Sequence, residues 1–260
     1  MMSADKSLAG ARIVVTRARR QAEPMAKLIC ERGGVPLLYP CLAIVPPDNF
    51  LPLADALCHL SEFDWLVFTS VNAVAAVADR LRTLASPPNW SQLSIAVVGP
   101  QTRDAVKIAL GRDVDFLPEQ ANARLLAHRL PLPKAARLLL PQADQADAST
   151  AQIFRERGAA VTPVIAYRTV VGSGGIDLGA QLAQGDVHAL TFASPSAVDY
   201  LLQRCPQPRI FALPAACIGA TTAEAARRQG FDRLIVPKVS GLSKMLDSLA
   251  QFFLTHPKFT

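Results

Sequence analysis

An α/β fold built twice, each half an open parallel sheet flanked by helices, is what this sequence of 260 residues predicts. Three observations predict it. Short runs of Val, Ile and Leu alternate with stretches of helical periodicity, as they do in parallel-sheet proteins. The alternation returns in the same order after roughly 120 residues, which marks a duplicated unit. The strand-to-helix junctions carry Gly, Ser, Thr or Asn, types that let a chain turn and cap a helix.

Taken in order, Arg12–Thr16 (RIVVT) is a short apolar strand, Glu23–Glu31 follows with helical spacing, and Gly33-Gly34 stops the helix. Arg137–Leu140 (RLLL) and the helix ending in Glu156-Arg157-Gly158 repeat that unit at an offset of 125. Asp64–Val74 (DWLVFTSVNAV) is a buried strand running into the polar start of a helix. Its echo is Ala189–Val198 (ALTFASPSAV), at an offset of 124. Ile95–Val106 (IAVVGPQTRDAV) is echoed by Cys217–Ala226 (CIGATTAEAA) at 120, and Phe116-Leu117-Pro118 by Ile235-Val236-Pro237 at 119. Between the halves, Leu130–Ala136 (LPLPKAA) has linker composition, so a linear reading cuts the chain near residue 134. Ser86-Pro87-Pro88-Asn89 reads as a surface loop inside the first half.

Val161–Val171 (VTPVIAYRTVV) is a strand by its β-branched and aromatic content, with Pro163 at an edge or strand-entry position. It carries Tyr167, one of three tyrosines. A phenol in such a strand is either a packing residue with its hydroxyl at a polar rim or a functional group, and its surroundings decide which.

Ligands of open α/β sheets bind beyond the carboxyl ends of the strands, where helix N-termini offer free N–H groups. Four loops lie at such junctions: Thr69-Ser70-Val71-Asn72, Gly99-Pro100-Gln101-Thr102, Ser194-Pro195-Ser196 and Gly219-Ala220-Thr221-Thr222. Helix capping alone would explain any one of them. Two similar pairs facing a shared cleft would suit an anion with several carboxylates, each charge-assisted hydrogen bond contributing roughly 1.5 to 3 kcal/mol.

Half of the residues are hydrophobic, enough for a sizeable core, and the net charge is +6. The basic residues are scattered and no basic-aromatic platform appears, so nucleic acid is not the expected partner; a moderate positive field can equally steer a small polyanion. Cys30, Cys41, Cys58, Cys205 and Cys217 are odd in number and widely spaced, as in a reduced cytoplasmic protein, and the isolated histidines His59, His128, His188 and His256 predict no metal site. The start MMSADKSLAGAR lacks the apolar core of a signal peptide, and no run is long enough to span a membrane. With no GxGxxG after a strand, GxxxxGK[ST], GxSxG or HExxH, the dinucleotide, triphosphate, acyl-hydrolase and zinc-protease readings lose their main supports.

The ordered set RIVVTR, the Gly34–Pro40 stretch, DWLVFTSVNAV, VVGPQT, VIAYRT, TFASPSAV and IGATTAEAA resembles the uroporphyrinogen-III synthase family, from about Gly10 to Leu249. The resemblance implies two similar α/β domains joined by a two-stranded linker. The first strand-helix unit of each half then belongs to the opposite domain: residues 1–38 with 170–260 form one domain, 44–164 the other, and 39–43 and 165–169 the linking strands. That placement overrides the cut near residue 134.

It also implies a cofactor-independent cyclising dehydration. Hydroxymethylbilane, a linear tetrapyrrole with eight carboxylates, loses its ring A hydroxyl to give an azafulvenium cation. Ring D attacks through its substituted α-carbon to form a spiro-pyrrolenine, and fragmentation and recombination close uroporphyrinogen III with ring D inverted. The uncatalysed route gives isomer I, so the main task is orientation, which can supply about 7 to 11 kcal/mol. Tyr167 matches the family's active-site tyrosine and would assist departure of the hydroxyl. Thr102 and Thr222 match the threonines of the glycine loops, and Ser70, Ser194 and Ser196 the hydroxyls of the F-x-S loops. With Arg17, Thr69, Asn72, Gly99, Gly219 and Thr221 they make the expected substrate contacts. Two features depart from the family: the acidic Pro141–Asp147 loop is not expected to touch substrate, and Ala220 stands where proline is usual. The expected protein is a cytoplasmic monomer without metal or cofactor, in transient contact with the preceding pathway enzyme. A non-catalytic two-domain protein that captures an anionic metabolite is the alternative.

Overall fold

The computed structural model describes residues 7–84 and 89–256; of the Ser86–Asn89 loop only Asn89 lies within them, and the first six residues lie outside. The chain opens with β1 (Arg12–Val15), α1 (Arg19–Glu31) and β2 (Val35–Leu38). It continues through β3 (Leu42–Val45), α2 (Leu51–Cys58), β4 (Trp65–Phe68), α3 (Val71–Leu81), β5 (Ser94–Val97), α4 (Pro100–Leu110) and α5 (Ala123–Arg129). Next come β6 (Arg137–Ala143), α6 (Ser149–Glu156) and β7 (Ala160–Val171). The last stretch is α7 (Leu178–Gln184), β8 (Ala189–Phe192), α8 (Pro195–Arg204), β9 (Ala215–Cys217), α9 (Ala220–Arg228), β10 (Leu234–Ile235) and α10 (Leu242–Thr255). Helix α1 starts four residues before the expected Glu23 and holds Pro24 inside it, which forfeits one backbone hydrogen bond.

Two compact units result. One gathers the chain up to Ala43 and again from Val170, the other Ile44–Thr169. The chain passes from one to the other within β3 and returns within β7. The first unit holds a sheet in the order β10-β9-β8-β1-β2, parallel throughout. The second holds β3-β7-β6-β4-β5, parallel where β7, β6, β4 and β5 meet, with Phe116 bridging in parallel to Ala96 at the far side.

The two orders correspond strand for strand: β2-β1-β8-β9-β10 matches β7-β6-β4-β5 plus Phe116. Each half of the sequence therefore lends its first strand-helix-strand unit to the strands of the other half. A cut near residue 134 would separate β6 from β4, where Leu138 and Leu139 lie beside Trp65 and Leu66, and would strip β1 from β8. The Leu130–Ala136 segment is instead the turn between α5 and β6 inside the second unit.

Strands covered on both faces need continuous apolar runs rather than alternation, and β4 (WLVF) and β8 (ALTF) are buried at every position. Thr191 is tolerated in β8 because its hydroxyl donates to the Val14 carbonyl at 2.7 Å, while Thr16 donates to the Thr191 carbonyl at 2.6 Å. One face of the second sheet packs Leu66, Phe68 and Val97 against Val74 and Val77 of α3 and Val106 of α4. The other packs Val67, Leu138 and Leu140 against Leu126 of α5 and Phe154 of α6.

In the first unit the segment after β2 runs against the segment after β7. Gly172 donates to the Cys41 carbonyl at 2.8 Å and Ile176 to the Leu38 carbonyl at 3.0 Å. Arg204 of α8 closes this crossing: its guanidinium stacks 3.9 Å from the Tyr39 ring centroid, donates to the Pro40 carbonyl at 2.7 Å, and donates to the Gly174 carbonyl.

Candidate active site

The candidate residues fall at the carboxyl ends of the strands in both units. In the second unit β4 ends at Phe68, and Thr69-Ser70 leads into α3. Ser70 caps that helix, its Oγ accepting from the Ala73 N–H at 3.1 Å. In the first unit β8 leads through Ala193-Ser194 into α8, and Ser194 Oγ accepts from the Ala197 N–H at 3.3 Å. The two caps have nearly the same backbone, φ −157° and ψ 153° at Ser70, φ −161° and ψ 157° at Ser194.

The glycine loops are also paired. Gly99 precedes α4 and Gly219 precedes α9, both in extended backbone that any residue can adopt. Space rather than conformation favours glycine here: a Cβ on Gly99 would lie 2.9 Å from Ala121 Cβ, and one on Gly219 would lie 2.7 Å from Ser240 Oγ. Thr102 and Thr222 are buried in the first turns of α4 and α9, Thr221 is exposed, and Thr69, Asn72 and Ser196 are half-buried. Ser194 and Ser196 share a hydrogen bond of 3.1 Å between their hydroxyls.

Tyr167 reaches its place through an irregularity that the sequence does not announce. Strands β6 and β7 pair with Gln142 opposite Ile165 and Ala143 opposite Tyr167, which leaves Ala166 as an extra residue in β7. A bulge of this kind turns the following side chain to the other face of the strand. Val164 and Ala166 face the α3 side of the sheet, and strict alternation would send Tyr167 away from it. With the bulge, Tyr167 packs on that same side and is 8% exposed. The backbone is fixed there by Asp144, whose N–H donates to the Tyr167 carbonyl at 3.1 Å and whose carboxylate accepts from the Thr169 N–H at 3.3 Å. The phenol oxygen lies 3.0 Å from Ser70 Oγ. Tyr167 is thus both a packing residue and a hydrogen-bonded phenol at the end of β4. Asp144 belongs to the acidic loop that reads poorly as a substrate contact, and its role here is to hold the bulge.

The family model described as uroporphyrinogen-III synthase HemD matches residues 23–247. The chain belongs to the uroporphyrinogen-III synthase family. It is 36% identical over 170 residues to the uroporphyrinogen-III synthase of Synechococcus elongatus, an alignment covering 64% of this chain and 63% of that protein. It is 27% identical over 250 residues to the porphyrin biosynthesis protein HemD of Ruminiclostridium josui, covering 95% of this chain and 49% of that one. The chain thus spans less than two thirds of the length of either relative. In fold it is similar to a mutant uroporphyrinogen III synthase from Thermus thermophilus, with a TM-score of 0.66 at 21% identity over 95% of this chain and all of that one.

Tyr167 and the four loops lie within the span matched to the uroporphyrinogen-III synthase family; Arg17 lies before it. Arg17 follows β1, half-buried, and burial pushes its guanidinium pKa down. Its Nε is buried without a hydrogen-bond partner among the described residues, and its Nη2 reaches Gln21 only at 3.5 Å. A guanidinium so sparsely paired suits a position that an anion completes. Among the described residues no three His, Cys, Asp or Glu side chains gather as a metal site, and no helix is long and apolar enough to cross a membrane.

Proposed function

We propose that this protein cyclises hydroxymethylbilane to uroporphyrinogen III, with inversion of ring D and release of water. The observation that carries the reading is Tyr167, re-aimed by the β7 bulge so that its phenol sits 3.0 Å from Ser70 at the start of α3, in a chain of this family. The phenol assists departure of the ring A hydroxyl, a general-acid role commonly contributing about 10²- to 10⁴-fold. Arg17, Thr69, Ser70, Asn72, Gly99 and Thr102, together with Ser194, Ser196, Gly219, Thr221 and Thr222, supply the polar contacts to the substrate. Backbone N–H groups at the helix starts hold carboxylates there, with no dense cluster of arginines needed.

Residues 1–38 with 170–260 and residues 44–164 act as the two domains, with 39–43 and 165–169 as the linking strands. The protein works in the cytoplasm as a monomer, without cofactor, in transient contact with the enzyme that supplies its substrate. Product analysis tests the activity. Purified protein is given hydroxymethylbilane, the macrocycles are oxidised, and the isomers are separated. Isomer III should dominate, and isomer I alone, as in the protein-free control, would leave only capture of an anion. Tyr167→Phe should lower the rate of isomer III formation about 100-fold with little change in the unfolding midpoint; an unchanged rate would return Tyr167 to packing alone.

A further inference from the structure

We propose that Ser70 is the positioning residue for Tyr167, donating its hydroxyl hydrogen to the phenol oxygen so that the phenol's own hydrogen points to the substrate. This rests on the reading of Tyr167 as the group that assists loss of the ring A hydroxyl, and it replaces a carboxylate contact as the main role of Ser70.

The direction of the hydrogen bond follows from what Ser70 Oγ already does. It accepts the Ala73 N–H at 3.1 Å at the start of α3, a helix of 11 residues whose positive end lies at that point. A hydroxyl that accepts such a bond becomes a better donor, because successive hydrogen bonds polarise one another. The phenol oxygen, 3.0 Å away, is an acceptor within reach. The chain of bonds then runs from Ala73 N–H to Ser70 Oγ, from Ser70 O–H to Tyr167 Oη, and from Tyr167 O–H to the leaving oxygen. The opposite direction would spend the phenol hydrogen on Ser70 and leave none for the substrate. The bulge at Ala166, supported by Asp144, puts Tyr167 on the α3 side of the sheet, where Ser70 lies.

In the reaction, the C–O bond of the hydroxymethyl group breaks with its electron pair on oxygen. The Tyr167 proton passes to that oxygen, water leaves, and the azafulvenium cation remains. The phenolate keeps the Ser70 hydrogen bond and, through Ser70, the end of α3. The proton released when the closing pyrrole regains aromaticity restores the phenol.

The test is a double-mutant cycle on the full chain with hydroxymethylbilane, separating kcat from KM. Ser70→Ala should lower kcat about tenfold or more at nearly unchanged KM, and in a Tyr167→Phe background it should cost no more than about twofold further. Ser70→Thr, which keeps the hydroxyl, should recover most of kcat. Ser70→Gly keeps a competent helix cap without a hydroxyl, so it should match Ser70→Ala in kcat while unfolding close to the wild type, and it serves if the alanine variant folds poorly. Additive losses, a raised KM at constant kcat, or full activity in Ser70→Gly would overturn the proposal in favour of a carboxylate contact or a cap. A Tyr167→Phe variant with unchanged kcat would remove the reading beneath it, an outcome separate from a failure of Ser70 alone.

Discussion

Replacing Gly172 by alanine isolates the crossing that the first unit builds from the segments after β2 and β7. Gly172 is not among the positive-φ glycines, so the substitution costs no backbone strain and tests crowding alone. Its added carbon would lie 2.2 Å from the Pro40 carbonyl oxygen, 2.8 Å from Leu42 N and 2.9 Å from the Cys41 carbonyl carbon. Carbon and carbonyl oxygen meet without strain at about 3.3 Å, so the two segments must part by roughly 1 Å. All three neighbours are backbone, and none can swing away as a side chain would. Parting also stretches the 2.8 Å bond from Gly172 N–H to the Cys41 carbonyl, worth about 1 kcal/mol. With an overpacking cost of about 1 to 3 kcal/mol, the loss should be about 2 to 4 kcal/mol. At a urea slope near 2 kcal/mol/M this lowers the midpoint by about 1 to 2 M. Far-UV circular dichroism is the suitable probe, because Trp65 and Trp90 both belong to the second unit and would not follow the first. Gly111→Ala is the control: φ is +65° with nothing among the described residues within 4 Å of the new carbon, so the left-handed backbone sets the cost, about 1 kcal/mol. If Gly172→Ala unfolds no earlier than Gly111→Ala, the close backbone approach does not support the first unit.

Arg204→Met should destabilise the same crossing by about 2 kcal/mol, since it removes two charge-assisted bonds to carbonyls and the stacking on Tyr39; Arg204→Lys should lie between it and the wild type in urea unfolding. His188 should make thermal stability pH-dependent. Its Nδ1 accepts from the Arg12 N–H at 3.0 Å, so the fold requires the neutral ring. Burial first, and the Arg12 guanidinium second, hold its pKa below the usual value, with Asp186 opposing. Stability is then complete above about pH 6.5 and declines as pH falls through the lower folded value. His188→Asn, which offers an amide oxygen in place of Nδ1, should flatten the Tm change between pH 7.5 and 5.5; an identical change would clear His188 of the effect. Ser194→Ala should lose about 1 kcal/mol with the α8 cap, whereas Ser196→Ala should keep the unfolding midpoint and raise KM severalfold, which equal KM values would refute.

The duplication was legible because strand, turn and helix types recur at nearly constant offset, and the loop chemistry because capping and anion binding call for the same small polar residues. The pairing of β1 with β8, and of β6 with β4, was not legible from the pattern. Equivalent strands in the two halves carry equivalent apolar runs, so β1 could pack beside either β4 or β8 on periodicity alone, and the linker-like Leu130–Ala136 favoured the wrong cut. The bulge was hidden for a different reason. In VIAYRT the alternation reads smoothly, and the extra residue shows only in the pairing with β6, held by bonds from Asp144, 23 residues before Tyr167 in the chain. Gly172, just after β7, is set by contact with residues 40–42, which no local pattern contains.

The repeat also bears on why one tyrosine suffices. The registers Arg137 opposite Ala160 and Arg12 opposite Val35 align β7 with β2 at the same offset of 125 that relates β6 to β1. On that alignment Ile165 corresponds to Pro40, Ala166 to Cys41 and Tyr167 to Leu42. For Ser194, the counterpart of Ser70, the aligned residue is Leu42 in place of a tyrosine, and the Ser194 hydroxyl pairs with Ser196. The corresponding stretch of the first unit serves the Arg204 crossing. The two units thus keep the same capped loops, while at this aligned position the second carries tyrosine and the first leucine. This asymmetry is what the proposed reaction requires: many carboxylates call for many binding loops, which a duplication supplies, whereas a single leaving hydroxyl calls for a single donor.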